Sequence, residues 1–374
     1  YHIKIGFQDV FEHPSIATMT DYILFLLEQN VELKDGSEFK DFSQEVFELM
    51  PIQKAYLIGR TTEDNEISSH FYMEFTKEKY DLGKLEKAWN ELILEYPALR
   101  LVIDEKTQTQ KVLERVPEYQ ISYQVFEDEA IFEEFRKKIE KQVLPVNRWP
   151  IFELAVSRVK NKEILHVSFD NMILDGMSIC SILDIWSRKY AGEVVEAKEE
   201  KTFAEYVISS KARKDEVSYE NEKNLWKAQV KEIPEKPELP TRGGEGEKQF
   251  YRKEICIQKN QWEMIKKHLR VYGLTESSVL LSCYGEILYR WSKTNAFTIN
   301  VTVNKRGLVD NAYEKTIGEF TDVALISFQF GKKETFVQKC KKIQKQLHLS
   351  MNRKAFEGVE AQRMWSSVHE SVFG

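Results

Sequence analysis

The stretch that decides the fold lies at residues 166–178 and reads HVSFDNMILDGMS. It completes a longer segment, FELAVSRVKNKEILHVSFD, whose pattern predicts two strands joined by a turn at Asn161. It then leads into GMSICSILDIWSRKY, where apolar residues recur at helical spacing and predict an amphipathic helix. The loop between strand and helix carries Asp170 and Asp175. Because such loops present reactive groups on a rigid base, this loop is the candidate functional site.

The two aspartates of the loop allow two interpretations. In the first, Asp170 and Asp175 form a carboxylate pair in which repulsion raises one pKa, giving one acid and one base. In the second they are structural: Asp175 pairs with a buried arginine, Ser178 caps the helix, and Asp170 ends the strand. The spacing alone does not decide between them, since two aspartates so placed arise by chance about once in such a chain. His166 is expected to be a buried supporting residue, because isolated imidazoles seldom bind metal.

Length and composition limit the class of protein. The 374 residues are 42% hydrophobic and 30% charged, which at about 150 residues per domain predicts two or three units with sizeable cores. No stretch approaches the ~20 apolar residues of a membrane span, and the first residues do not resemble a signal segment. The balance of 54 Lys and Arg against 60 Asp and Glu argues against a nucleic-acid-binding module. The scattered cysteines have neither metal-site spacing nor disulfide density, which predicts a reducing cytoplasm. They are Cys180, Cys256, Cys283 and Cys340.

The flanking segments mix helices and strands in both halves of the chain. Before the loop, MPIQKAYLIG, LGKLEKAWNELILEYPALR and EDEAIFEEFRKKIEKQV have helical patterns, while SHFYMEF and LRLVID are typical of strands. The charge-rich residues 211–249 end in PEKPELPTRGGEGEK, which is typical of a boundary. Beyond it, QWEMIKKHLRVY and SSVLLSCYGEILYRW predict helices, and RKEICI, AFTINVTV and VALISFQF predict strands. This order predicts two α+β lobes with a hinge between them.

The candidate loop resembles the active-site loop of condensation domains from nonribosomal peptide synthetases. The signature of that family is His-His-x-x-x-Asp-Gly, in which the second His is the catalytic imidazole. Here Asp170-Asn171 stands in place of His-His, while Asp175-Gly176 is retained. An asparagine does not take up a proton near neutral pH, which excludes imidazole base catalysis at this position. Residues 170–178 instead read D-x-x-x-x-D-x-x-S, which resembles the signature of the heterocyclization branch.

Further segments resemble motifs of the same branch, in the family's order. FELMPIQKAYLIGR (47–60) is similar to its opening motif, and EYPALR (95–100) is similar to its R-H-x-x-L-R element, with Glu95-Tyr96 departing from Arg-His. PEKPELP (234–240) resembles the hinge motif, and SSVLLSCYGEILYRWS (277–292) resembles the L-x-x-x-Y-x-x-x-L-x-x-W-S helix. IGEFTDVALISF (317–328) resembles the G-D-F-T segment, with Glu319 replacing Asp. FQDVFEHPSIATMTDYI (7–23) is similar to the last helix of a peptidyl carrier protein.

The resemblance implies an α+β fold. It consists of two chloramphenicol-acetyltransferase-like lobes in a V shape with a tunnel between them, and the second lobe is expected to be incomplete in this chain. The expected divisions are a carrier-protein tail at 1–30, a linker at 31–46, the N-terminal lobe at 47–215, a hinge at 216–249 and the C-terminal lobe at 250–374. The Thr and Asp that are the family's best candidates for cyclodehydration are expected to lie beyond Gly374.

The resemblance also implies a function. A heterocyclization domain joins an acyl or peptidyl thioester on an upstream carrier to a carrier-bound Cys, Ser or Thr, and then removes water to form a thiazoline or oxazoline. Its partners would be the upstream peptidyl carrier protein and the downstream adenylation and carrier domains, in the cytoplasm, with no nucleic acid or membrane. Substrates would arrive on 4'-phosphopantetheine, with no cofactor or metal bound by the chain itself. The implied catalytic residues are Asp170 and Asp175, mainly as shapers of the loop, supported by Asn171, Ser178, Gln53, Tyr56 and Arg60.

Two other functions stay open. A catalytically inactive module that only docks carriers fits the loss of the imidazole, whereas the retained D-x-x-x-x-D-x-x-S pattern opposes it. A condensation domain that makes only amides would need a general base, which the sequence does not show. The choice among Cys, Ser and Thr, the donor, the oxidation state of the final product and the oligomeric state do not follow from the sequence.

Overall fold

The structure is a computed structural model that describes residues 19–20, 45–61, 69–196, 199–214, 216–240, 255–307, 310–330, 333–353 and 355–369. The carrier-protein helix expected near the start of the chain and the linker after it lie outside these residues, apart from residues 19–20 and 45–46. The glycine-rich residues 243–246 also lie outside them.

The first half of the chain forms two sheets covered by helices. Its strands are β1 (Phe47–Glu48), β2 (His70–Lys77), β3 (Leu101–Asp104), β4 (Thr109–Val112), β5 (Ser122–Phe126), β6 (Phe152–Val159) and β7 (Lys162–Asp170). Its helices are α1 (Pro51–Thr61), α2 (Leu82–Glu95), α3 (Glu129–Glu140), α4 (Gly176–Tyr190), α5 (Phe203–Arg213) and α6 (Val217–Gln229). One sheet has the order β1-β4-β3 and the other β2-β7-β6-β5, in which only the β5–β6 pair is parallel. The helices and strands predicted before and around the loop are confirmed.

The central strand β7 carries the candidate loop at its end. Residues 165–170 of β7 are all buried, because β2 and β6 flank the strand and helices cover both faces. On one face, Trp89 of α2 packs against Phe152 of β6, Phe169 of β7 and Trp186 of α4, with ring centroids 4.9–5.8 Å apart. This aromatic cluster fixes α2 and α4 on the sheet, so the loop between β7 and α4 starts and ends on rigid elements.

The second half is built around a hairpin. Its strands are β8 (Ala296–Asn304) and β9 (Thr321–Gln329), which pair antiparallel, and its helices are α7 (Lys259–Val271), α8 (Glu276–Trp291), α9 (Phe336–Asn352) and α10 (Gly358–His369). The predicted strand RKEICI is wrong in its described part, since residues 255–258 have no regular structure and Ile255 is 95% exposed. No ladder partner lies beside this segment in the described part of the chain, and a strand needs one.

The residues between β8 and β9 return to the first half. Tyr313, Ile317 and Phe320 are buried in the same hydrophobic core as the residues of β6, β7 and α4. Residues of the predicted hinge run along β8, where the backbone N–H of Thr298 donates to the carbonyl of Glu235 at 2.8 Å. The predicted hinge also contains α6, although the sequence there is rich in Lys and Glu. The return of residues 310–320 brings the second half directly onto the candidate loop.

Candidate active site

The loop from β7 to α4 is anchored by its own apolar residues. Met172, Ile173 and Leu174 have no exposed surface and belong to the main core. Burying three consecutive side chains fixes the path of the backbone between the two aspartates. Asp170 and Asp175 are therefore held in place by the core, and they too are almost fully buried.

Asp170 ends strand β7 in an ion pair with Arg60 of α1. One carboxylate oxygen contacts the Arg60 guanidinium, and the other accepts the backbone N–H of Met172 at 2.9 Å. Arg60 also donates to the carbonyl of Leu144 at 3.0 Å. The pair is 7% and 0% exposed, so each charge depends on the other for stabilisation. The interpretation of Asp170 as a strand-ending structural residue agrees with this arrangement.

Asp175 is bound to a different arginine, Arg306, which follows β8. The Arg306 guanidinium lies 2.8 Å from both carboxylate oxygens, and the amide of Asn304 donates to Oδ2 at 2.7 Å. The backbone N–H of Phe320 donates to Oδ2 at 3.2 Å. Asp170 and Asp175 thus each pair with their own arginine.

Asp175, and not Ser178, caps helix α4. The Asp175 carboxylate accepts the backbone N–H of Ser178 at 2.7 Å, the usual bond from the third helical residue to the N-cap. The prediction that Ser178 is the cap is wrong, because the helix begins one residue after Asp175. The Ser178 hydroxyl instead bonds residue 318: it donates to the carbonyl of Gly318 at 2.7 Å and accepts its N–H at 2.9 Å. Arg306 also donates to this hydroxyl, at 2.6 Å. Ser178 therefore joins α4 to the segment that returns from the second half.

Gln53 contacts the same loop from α1, and Asn171 is part of the loop. Gln53 is fully buried on α1, where its amide donates to the carbonyl of Met172 at 2.7 Å and to Gln110 at 2.9 Å. The backbone of Asn171 donates to the carbonyl of Ser69 at 2.8 Å. Its side-chain oxygen is buried and has no hydrogen-bond partner among the described residues. Gln53 thus supports the loop. Asn171 lies at the sequence position of the family imidazole, and its side-chain oxygen has no hydrogen-bond donor among the described residues.

Tyr56 of α1 lies beside a carboxyl group that sequence reasoning did not select. Burial, together with the nearby charge of Glu319, raises the pKa of the Tyr56 phenol above its ordinary range, whereas a hydrogen bond to Thr321 lowers it. Glu319 has no exposed surface, and its Oε1 accepts the backbone N–H of Thr321 at 2.7 Å. Burial above all raises the pKa of Glu319 to about 8, and Asp175 acts in the same direction. Burial thus favours the neutral form of this carboxyl group.

An open cleft adjoins the start of α4. Met177 and Cys180 line it from the helix and Asp175 from the helix cap, while Thr302 and Asn304 line it from β8 and Thr321 from the start of β9. A separate cavity lies among α8, α9 and residues 229–234, and none of the predicted site residues lines it. Of these two cavities, the cleft at the start of α4 is the one whose lining includes a predicted site residue, Asp175.

His166 is a buried supporting residue, as predicted. It has no exposed surface, and its ring nitrogens lie 2.7 Å from the Tyr72 hydroxyl and 2.6 Å from the Ser157 hydroxyl. Burial lowers the pKa of His166 to about 4, so the ring is neutral at pH 7. In the described residues, no three His, Cys, Asp or Glu side chains are grouped so as to hold a metal ion. Nor does any described helix combine the length and apolar character that crossing a membrane requires.

Sequence reasoning missed the residues that come from the second half. The structural interpretation of Asp175 included a buried arginine, but it did not identify Arg306. One sequence signal could have pointed to Arg306. The polar residues Asn304-Lys305-Arg306 directly follow a predicted strand, and functional side chains are often found at the ends of strands. Glu319 was noted only as a departure from the family motif. Its burial, which changes its protonation, is a property of the packed structure.

A comparison with protein families identifies the chain. The family model described as "Condensation domain" matches residues 43–363. The chain is 26% identical over 335 residues to pyochelin synthetase PchF of Pseudomonas aeruginosa, covering 86% of this chain and 18% of that protein. It is 24% identical over 336 residues to phenyloxazoline synthase MbtB of Mycobacterium tuberculosis, covering 85% of this chain and 23% of that protein. The chain thus spans less than a quarter of the length of these relatives.

Solved structures share the same fold. The cyclization-docking bidomain of the nonribosomal peptide synthetase EpoB from Sorangium cellulosum superposes with a TM-score of 0.81 at 23% identity, covering 98% of this chain and 76% of that one. The first condensation domain of the calcium-dependent antibiotic synthetase, in complex with a substrate analogue, superposes with a TM-score of 0.70 at 14% identity, covering 86% of this chain and 78% of that one. The α+β fold of the condensation superfamily that the motifs predicted is confirmed, and the chain belongs to the condensation-domain family.

Proposed function

We propose that the chain is a heterocyclization domain of a nonribosomal peptide synthetase. It would join a carrier-bound acyl or peptidyl thioester to a carrier-bound Cys, Ser or Thr, and then remove water to give a thiazoline or oxazoline. In this proposal the substrates arrive on 4'-phosphopantetheine arms of an upstream carrier and of the carrier that follows the downstream adenylation domain. The proposed place of action is the cytoplasm.

The observation that supports the proposal is that each defining residue of the loop motif makes a buried polar contact. All three defining residues of D-x-x-x-x-D-x-x-S make buried polar contacts: Asp170 with Arg60, Asp175 with Arg306, and Ser178 with Gly318. A motif that had drifted without selection for its geometry would not be expected to retain this complete set of partners. The names of two relatives, a pyochelin synthetase and a phenyloxazoline synthase, support the same branch.

The first proposed step, amide formation, relies on proximity. Asn171 occupies the position of the family imidazole and does not accept a proton near neutral pH. Two tethered substrates that meet in one cleft have a high effective concentration, which supplies a large part of the rate without a strong base. Asp170 and Asp175 are held in buried ion pairs. We therefore assign them the role of shaping the loop and the mouth of the cleft.

The second proposed step, loss of water, needs an acid. The Cys thiol or the Ser/Thr hydroxyl adds to the new amide carbonyl, and the carbonyl oxygen must then leave as water. The aspartates of the loop are engaged in ion pairs with Arg60 and Arg306, and we assign them no proton-donating role. The acid must come from another group near the cleft or from a part of the synthetase outside this chain.

Intact-mass measurements on the synthetase that carries this domain test the proposal. The upstream carrier is loaded with donor and the downstream carrier with cysteine, and the acceptor carrier is weighed after transfer. We expect a mass increase equal to the donor minus one water. Transfer without water loss would make the chain an amide-forming condensation domain, and absence of transfer with both carriers loaded would make it a docking module.

Variants of the loop separate its chemistry from its folding. Asp175→Ala is expected to abolish both transfer and water loss, because it removes the helix cap and the partner of Arg306. Asp184→Ala is the matched control, since Asp184 lies on the same helix with a side chain that is 69% exposed. We expect the control to keep the activity of the unmodified synthetase. Circular dichroism and carrier loading are measured for both variants, so that loss of fold is distinguished from loss of chemistry.

A further inference from the structure

We infer that the cleft at the start of α4 binds the acyl group of the donor thioester and selects donors whose acyl group is apolar and uncharged. This inference rests on the transfer step of the function proposed above, and it names the substrate class of that step. Asp175 and Gly176, which the loop shares with the family signature, both line the cleft. A group bound in the cleft therefore lies next to the loop at which the proposed reaction takes place.

The face of α4 that lines the cleft is exposed but uncharged. Met177, Cys180 and Ser181 lie on this face at helical spacing and are all exposed, whereas Ile179 and Ile182 face the core and are buried. Met177, the one large side chain among the three, is 56% exposed. Because the exposed faces of surface helices usually carry charged side chains, an uncharged face beside a cleft indicates a surface that contacts an apolar group.

The strongest polar groups in the cleft wall already have partners within the protein. The Asp175 carboxylate is 2% exposed and pairs with Arg306. The side-chain amide of Asn304 donates to this carboxylate at 2.7 Å, and its oxygen accepts the backbone N–H of Arg306 at 2.9 Å. Among the described residues that line the cleft, none is a Lys or Arg, and Asp175 is the one acidic residue. The cleft therefore offers no counter-charge to a bound ammonium, carboxylate or phosphate group.

This chemistry fits the donor acyl group better than the other groups of the two substrates. The acceptor brings a free amine, which needs a polar partner when it leaves water, and a side chain of only a few heavy atoms. The 4'-phosphopantetheine arm brings a phosphate, which Arg or Lys side chains commonly bind, and the Asp175 carboxylate already caps the N-terminus of α4. The donor acyl group requires neither. The cleft, at about 530 Å³, lies within the range of about 300–1,000 Å³ found for small-molecule sites, so it has room for a larger group than the acceptor side chain.

The first test fills the cleft with Cys180→Phe in the synthetase that carries this domain. The upstream carrier is loaded with a hexanoyl, acetyl or adipoyl group and the downstream carrier with cysteine, and intact mass gives the rate of transfer whether or not water is then lost. Because one methylene in an apolar pocket changes a rate by about tenfold or more, we expect hexanoyl transfer to fall at least about tenfold and acetyl transfer to stay within about threefold. Cys256→Phe is the matched control, since Cys256 is also exposed but does not line the cleft, and it should leave both rates unchanged.

The unmodified synthetase tests the preference for uncharged donors. Adipoyl has the chain length of hexanoyl but ends in a carboxylate, for which the cleft has no counter-charge. We expect adipoyl transfer to be at least about tenfold slower than hexanoyl transfer, because an unpaired charge that leaves water is costly.

Alkylation by iodoacetamide gives a readout that does not depend on transfer. Cys180, Cys256 and Cys283 are exposed, whereas Cys340 is buried, and peptide masses follow each cysteine separately. Loading the upstream carrier with hexanoyl in place of acetyl should slow alkylation of Cys180 and leave that of Cys256 unchanged.

Several results would overturn the inference. Equal loss of hexanoyl and acetyl transfer in a folded Cys180→Phe variant would mean that the cleft holds the acceptor or the arm, and unchanged hexanoyl transfer would mean that no substrate group enters it. Adipoyl transfer at the hexanoyl rate, or alkylation of Cys180 that hexanoyl does not slow, would also contradict it. Failure of the proposed function is separate: if the unmodified synthetase transfers hexanoyl without losing water, heterocyclization fails while the transfer rates still decide the inference. If nothing is transferred, alkylation alone decides it.

Discussion

Replacing Asp175 with asparagine removes one negative charge from the contact between α4 and the residues after β8. The carboxylate receives four donors: the backbone N–H of Ser178, the amide of Asn304, the guanidinium of Arg306 and the backbone N–H of Phe320. Asparagine presents one oxygen and one NH2 group to these donors. At least one donor would then face another donor, and Arg306 would lose its counter-charge.

The structure allows the cost to be estimated. The Asp175 and Arg306 side chains are 2% and 4% exposed, so water does not replace the lost partner. Removing one member of a buried ion pair costs about 3–5 kcal/mol. The helix cap itself is retained, because asparagine caps helices as well as aspartate. Glu319 is close enough to Arg306 to ionise and compensate in part, which places the expected loss near the lower limit, at about 3 kcal/mol.

Urea unfolding followed by tryptophan fluorescence measures this loss. A decrease of about 3 kcal/mol should lower the urea midpoint by about 1 M. Because a protein with two halves need not unfold in one step, hydrogen exchange of residues 172–180 and 302–320 should locate the opened region. Asp184→Asn makes the same chemical change on the same helix, 4.0 Å from Arg188 and in solvent, and should cost about 0–1 kcal/mol.

A small effect of the Asp175→Asn substitution would refute the reasoning. If its loss of stability were within about 1 kcal/mol of that of Asp184→Asn, the buried pair would not hold the two halves together. The same conclusion would follow if hydrogen exchange rose equally over the whole chain and not first at the contact between α4 and residues 302–320.

Two further predictions concern stability. Burial lowers the pKa of His166 to about 4, against 6.5 before folding, so between these values only the unfolded chain takes up the proton. Stability should therefore fall as the pH is lowered from 6.5 to 4, and His166→Gln should flatten this part of a plot of urea midpoint against pH; an unchanged slope would contradict the assignment. Gly318→Ala should cost about 1–3 kcal/mol, because its new methyl group would lie 2.5 Å from the buried ring of Phe203. Gly59→Ala is the control, since no heavy atom lies within 4 Å of its new methyl group, and it should be neutral or stabilising in thermal unfolding.

The sequence by itself determined the elements whose signals are local. Helix α2 follows from its apolar spacing, a signal that acts within a few residues, and the structure shows Asp81 as its N-cap. The β6–β7 hairpin follows in the same way from two apolar runs around residues 160–161. The loop motif at 170–178 could also be identified from the sequence, because its defining residues lie within one short segment. Its resemblance to one branch of the condensation family supplied the fold and the proposed function.

Predictions from local sequence patterns failed where contacts with distant segments determine the structure. The segment at 255–258 has the composition of a strand, but no described strand lies beside it to complete its hydrogen bonds. The Lys/Glu-rich residues 211–236 have the pattern of a solvated helix face, and α6 is a helix there, but its Tyr219 and Trp226 are buried against the residues around α10. In both cases packing against distant residues decides what the local pattern leaves open.

The tertiary structure alone decided how the site is assembled. Arg306 is 131 residues from Asp175 in the chain, and no sequence pattern specifies which arginine would reach it. Glu319 was visible as a departure from a motif, but its protonation depends on complete burial beside Asp175, which exists only after both halves have packed. Spacing along the chain records which residues share a strand or helix face, whereas ion pairing and desolvation depend on distances between distant segments. The sequence therefore located the loop, whereas the tertiary structure determined which distant residues pair with its aspartates and which carboxyl group beside it is buried.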